Sequence, residues 1–134
     1  MRRKARVSVL KALFSEEFNK DKGDELLERL ISSKIFTDND RDFARRLFYR
    51  TKEMKEEIDK TIKENLKNWS LKRLSKVDLN ILRIAIAEIE EFPETPARVV
   101  IDEAVDIAKI YGEGKSGKFV NAVLDKVFKE KGYL

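Results

Sequence analysis

The chain has 134 residues, a formal net charge of +4, 42% hydrophobic and 40% charged residues, and neither His nor Cys. That length fits one domain with a real core. The missing residue types remove the commonest zinc ligands, the commonest catalytic bases and nucleophiles, and any disulfide. No apolar run approaches a membrane span and the start lacks the long apolar segment of a secretory signal, so a soluble, cytoplasmic protein without cofactors is expected.

Charge placement says more than its total. Arg2, Arg3, Lys4, Arg6 and Lys11 stand in the first eleven residues with no acid among them, so the remainder sums to −1 and the basic character belongs to one end. Val7, Leu10, Phe14 and Phe18 recur three or four apart, which predicts an amphipathic helix from Arg3 to about Phe18. Cations in its first turn oppose the helix dipole. Two readings stand: a solvated basic tail, or a surface with another use for the charge.

After the polar break Asn19–Gly23, a shorter helix is expected from about Asp24 to Ile35, with Leu26, Leu27, Leu30 and Ile31 inward. Thr37 and Asp40 have capping-box spacing and open a long helix over about 38–68 through Phe43, Leu47, Met54, Ile58, Ile62 and Leu66. Its other face mixes Lys, Arg and Glu at pairing distances, as a solvated ionic surface would. Trp69 to Leu74 reads as a connecting turn, with Trp69 either core or able to stack on a nucleobase.

Residues 76–91 are apolar on nearly every side: Val77, Ile81, Ile84, Ala85 and Ile89 on one face, Leu79, Leu82, Ile86 and Ala87 over most of the rest. A helix with one face in water does not look like this. Ser75 and Asp78 repeat the capping-box spacing at its start, and Pro93 and Pro96 end it. This is expected to be the central, nearly enclosed helix of an all-α protein. Six to seven helices should pack around it in one domain, with an N-terminal lobe over about 1–68 and a C-terminal lobe over about 69–134.

Val100 to Lys109 is helical, with Ile101, Ala104, Val105 and Ala108 inward. Asp102, Glu103 and Asp106 suit a helix start better than a carboxylate pair or a hard metal site, since no second ligand cluster accompanies them. Gly112–Lys118 is the one glycine-rich loop, but P-loop spacing and a preceding strand are lacking. Gly112 suits a left-handed C-cap and Ser116 an N-cap for a last helix burying Val120, Val123, Leu124, Val127 and Phe128. Phe119, beside Lys115 and Lys118, is either a staple on the core or a base-stacking platform. Asn121 is either a cap partner or a hydrogen-bonding reader.

Several spaced motifs together resemble the family of the bacterial transcription antitermination factor NusB. They are Arg2-Arg3-Lys4-Ala5-Arg6 with Leu10–Phe14, then Trp69, Arg73-Leu74 and Val77-Asp78 with Ile81–Ala85 and Glu88. Pro96, Val99 and Ile101–Lys109 follow, and Tyr111-Gly112, Ser116, Lys118–Asn121 and Val123–Asp125 close the chain. The resemblance runs nearly full length. It implies an all-α fold of two small packed helical bundles without catalytic activity, binding the boxA element of nascent RNA together with the ribosomal protein NusE, within the RNA polymerase antitermination complex that serves ribosomal RNA operons. By motif matching it implies RNA contact at Arg2, Arg3, Lys4 and Arg6 and at the corner formed by Lys115, Ser116, Lys118, Phe119 and Asn121. It implies that Asp78 faces NusE, and that the free protein is a monomer or homodimer.

Lys115 departs from the family, which often carries an acid there, and a cation should raise affinity for RNA without NusE. Asp102 stands where the family usually has Asn. The competing expectation is a helical docking module without RNA contact, using the mixed-charge long helix. NusB-like domains also occur fused to RNA methyltransferases, but this sequence has no cofactor-binding region, so an enzyme is not expected.

Overall fold

The computed structural model describes residues 2–67 and 70–134, so the expectations for Trp69 lie outside the described residues. Within them the chain forms seven α-helices and no strand: α1 (Arg2–Ser15), α2 (Gly23–Ile31), α3 (Asp38–Glu53), α4 (Lys55–Glu64), α5 (Lys76–Glu91), α6 (Ala97–Tyr111) and α7 (Ser116–Glu130). A single 3-10 turn, Leu71–Arg73, leads into α5.

The helix read as central is central. α5 packs against α1, α3, α4, α6 and α7, and Leu79 through Ile89 is buried without interruption. Eight apolar side chains cannot line one face of a three-turn segment, so the helix is enclosed all round. That run also carries Asn80, Arg83 and Glu88, whose burial is tolerable only because each is bonded. Arg83 grips Asp59 of α4 with two bonds of 2.7 and 2.8 Å and reaches Glu17 after α1 at 3.2 Å. Asn80 donates to the Lys76 carbonyl at 2.8 Å and to Glu17 at 3.3 Å. Glu88 receives Arg6 of α1 through two bonds of 2.7 and 2.6 Å.

The remaining helices depart from expectation in instructive places. The buried stripe of α1 runs through Ala5, Val9, Ala12 and Leu13, while Phe18 lies beyond the helix and is exposed. The small Ala5 and Ala12, both fully buried, permit close approach of the neighbouring helices, and the larger Val7 and Phe14 are left half-buried. The expected long helix breaks at Met54, whose backbone N–H serves the carbonyls of Arg50 and Lys52 before α4 begins. This break turns Ile58 and Ile62 into the core as well as Phe43, Leu47 and Phe48. The Thr37–Asp40 capping box is complete, with bonds of 3.0 and 3.1 Å in the two directions. At Ser75 only half a box forms: Ser75 Oγ accepts from the Asp78 N–H at 3.0 Å, but the Asp78 carboxylate is turned elsewhere. No helix among the described residues is long and apolar enough to cross a membrane.

Candidate nucleic-acid interface

Two arginines of the basic end are held by carboxylates of other helices. Arg3 is held by Glu103 at 2.8 Å and Asp106 at 2.6 Å, both on α6. Its bonds hold the Glu103 carboxyl below the ordinary range, chiefly through the hydrogen bond and then the charge, against the opposing effect of burial. Arg6 is only 7% exposed and lies in the bidentate grip of Glu88, which is 1% exposed, with Glu103 at 3.3 Å beyond. The acids on α6 therefore do different work from that expected: α6 begins at Ala97 with no acid in its first turn, and Glu103 and Asp106 receive the arginines of α1. Arg2 is exposed, its guanidinium 4.1 Å from the centre of the Phe43 ring. Lys4 and Lys11 are exposed and pair with no carboxylate among the described residues.

The second cluster is built by the loop between α6 and α7. Gly112 has φ −86° and is not left-handed; it is the close packing that requires glycine there. A Cβ on Gly112 would meet Ser116 Oγ at 2.5 Å and the Ala108 carbonyl at 2.7 Å. The left-handed residue is Gly114, at φ +52°, two positions on. Ser116 is the first residue of α7, with Lys115 in the cap position, and it is buried. Its Oγ accepts the Glu113 N–H at 3.1 Å and stands 2.9 Å from the Glu113 carbonyl and 3.1 Å from Asp78 Oδ2, so its single proton serves one or the other. Ser116 thus closes its own loop and joins it to α5, where a side-chain cap on α7 was expected.

This loop completes a groove of about 520 Å³ lined by Arg73, Asp78, Lys115, Ser116, Lys118 and Phe119, with Leu74, Ser75 and Glu113. Lys115 and Lys118 are exposed; Phe119 is half-buried, its ring resting on the core while it lines the groove. Phe119 is therefore both staple and wall. Asp78, assigned by motif matching to a protein partner, lies in the same groove as the residues assigned to RNA, with its Oδ1 buried and without a hydrogen-bond partner among the described residues. Asn121 is exposed one turn further along α7 and does not line the groove. Arg73 was not among the residues singled out for the site; its signal was the Lys72-Arg73 pair in the turn just before α5.

The chain matches the NusB family model over residues 3–129. It is 40% identical over 129 residues to the transcription antitermination protein NusB of Listeria monocytogenes serotype 4a, covering 96% of this chain and 97% of the relative. Among solved structures it is similar to T. maritima NusB, with a TM-score of 0.88 and 43% identity over 97% of this chain and 92% of that one. It is also similar to a chain in the crystal structure of antitermination factors NusB and NusE in complex with double-stranded RNA, at TM-score 0.84 and 29% identity, covering 96% of each. On a match of this length in sequence and fold, the chain belongs to the NusB family.

Proposed function

We propose that this protein is a non-catalytic transcription antitermination factor. It binds boxA-type single-stranded RNA together with NusE and joins the RNA polymerase antitermination complex in the cytoplasm, notably on ribosomal RNA operons. The observation that carries this reading is the groove at the start of α7, where Arg73, Lys115 and Lys118 surround a half-buried aromatic face on Phe119. Cations meet phosphates irrespective of sequence, and an unpaired base has a face to lay on an aromatic ring. Family membership and the NusB–NusE structure with RNA support the choice of ligand and partner.

Within this reading Lys4, Lys115, Lys118 and Arg73 attract the RNA backbone and Phe119 takes a base. Arg2 borders the same basic end, and Asn121 offers its amide on the next turn. Arg3 and Arg6 act through α6 and α5, by fixing the helix that carries Lys4. Asp78 faces NusE, and its bond to Ser116 makes the partner's side of the groove continuous with the RNA side. With about five phosphates neutralised, the logarithm of the binding constant should fall with the logarithm of salt with a slope of about −3.5. So few phosphate contacts favour binding in company with a protein partner.

Phe119→Ala tests the assignment. Loss of a stacked base should weaken RNA binding by about 1–3 kcal/mol. If the substitution lowers the melting temperature and leaves RNA affinity unchanged, Phe119 is a wall of the core and the groove is not the RNA site.

A further inference from the structure

Lys4 and Lys11 of α1, which pair with no carboxylate among the described residues, do not line the Phe119 groove. Lys4 and Lys11 line a separate groove of about 430 Å³ between α1, the connection from α2 to α3, and the end of α6. Its walls are Ile35, Ile110 and Tyr111, which are 50%, 63% and 40% exposed. Lys11 Nζ stands 6.0 Å from the centre of the Tyr111 ring, at the outer limit of attraction to its face. Among the described residues no carboxylate lines this groove, and the third cation in it, Arg3, is already held by Glu103 and Asp106. Uncovered apolar and aromatic walls between unpaired cations suit a ligand that alternates planar faces with negative charges.

Continuity selects the ligand. Tyr111 ends α6, and the next residues, Gly112 to Lys115, are the loop whose Glu113 and Lys115 line the Phe119 groove. A single strand laid across that loop reaches both grooves, whereas an acidic peptide has no reason to continue into the second.

We infer that the groove between α1 and the end of α6 is a second base-accepting subsite for unpaired RNA. Tyr111 carries a base on its face, Ile35 and Ile110 exclude water around it, and Lys4 and Lys11 meet the flanking phosphates. The inference rests on the RNA-binding reading given above, and extends the RNA path from α7 to α1.

The test is fluorescence anisotropy of a labelled boxA RNA with the full chain, in the presence of NusE, across a salt series. Tyr111→Ala should weaken binding by about 5-fold or more, the lower end of what one stacked base contributes. Tyr111→Phe, which keeps the ring, should bind within a factor of two of the parent. Lys4→Ala combined with Lys11→Ala touches only exposed side chains and should reduce the steepness of the logarithmic salt dependence by about 1.4. If Phe119→Ala weakens binding while Tyr111→Ala and the double lysine variant leave affinity and salt slope unchanged, the second subsite is refuted and the RNA reading stands. If the Tyr111 variant loses NusE but not RNA, the groove docks protein and the inference fails. If the parent binds no boxA RNA, the RNA reading itself falls and the subsite with it.

Discussion

Arg6 separates scaffold from contact surface more sharply than any other residue. Truncation by Arg6→Ala leaves Glu88, 1% exposed, without the two bonds of 2.7 and 2.6 Å that hold its carboxylate. Removing one member of a buried ion pair costs about 3–5 kcal/mol, because the other remains charged, dry and uncompensated. For a chain of 134 residues the unfolding entropy at the midpoint is about 280 cal/mol/K, so the melting temperature should fall by roughly 11–18 °C. Replacing both partners, Arg6→Met with Glu88→Leu, removes the stranded charge and should restore most of that loss. Circular dichroism melts of the three proteins read the stability, and RNA anisotropy on the double variant reads the contact. A melting temperature for Arg6→Ala within about 2 °C of the parent would refute the stability argument. A double variant that melts normally yet loses RNA would show that Arg6 touches RNA itself.

Acid sensitivity should trace in part to Glu103, whose folded pKa is held below the ordinary value by Arg3. Such a group contributes stability in full above the ordinary carboxylate pKa of about 4.3 and loses it as the pH falls through the lower folded value. The gap in melting temperature between the parent and Glu103→Gln should therefore be open at pH 7 and close below about pH 4; a constant gap across that range contradicts the assignment. Lys115→Asp should weaken binding of boxA RNA by the protein alone and reduce the steepness of its logarithmic salt dependence by at least about 0.7, whereas an unchanged salt curve means that Lys115 meets no phosphate.

What the sequence disclosed and what it hid divide along one physical line. α5 was legible because apolar residues on all sides, a cap at Ser75 and prolines at 93 and 96 are local signals. The bond between Arg6 and Glu88 joins positions 82 apart, and no periodicity in a window of a few turns carries that information. For the same reason the basic start reads as one cationic end, although Arg3 and Arg6 are drawn onto α6 and α5 and Lys4 and Lys11 pair with no carboxylate among the described residues. The break at Met54 has neither glycine nor proline to announce it; the packing of Ile58 and Ile62 against the core sets it. At the α7 corner, Lys115, Ser116, Lys118 and Phe119 can be grouped from the sequence because they are neighbours in it. Arg73 and Asp78 join them only when α5 is folded against α7. The expected left-handed Gly112 shows the same limit, since a glycine chosen for close approach to Ser116 and one chosen for its φ are identical in the sequence.

The central claim is that this protein reads boxA RNA with NusE, and anisotropy of a labelled boxA RNA measures it most directly. The titration is run with and without NusE, at two salt concentrations, against a scrambled RNA of the same length. The account predicts preference for boxA, tightening when NusE is added and weakening as salt rises. Equal affinity for the scrambled RNA under all of these conditions would contradict it, leaving a basic surface without specificity.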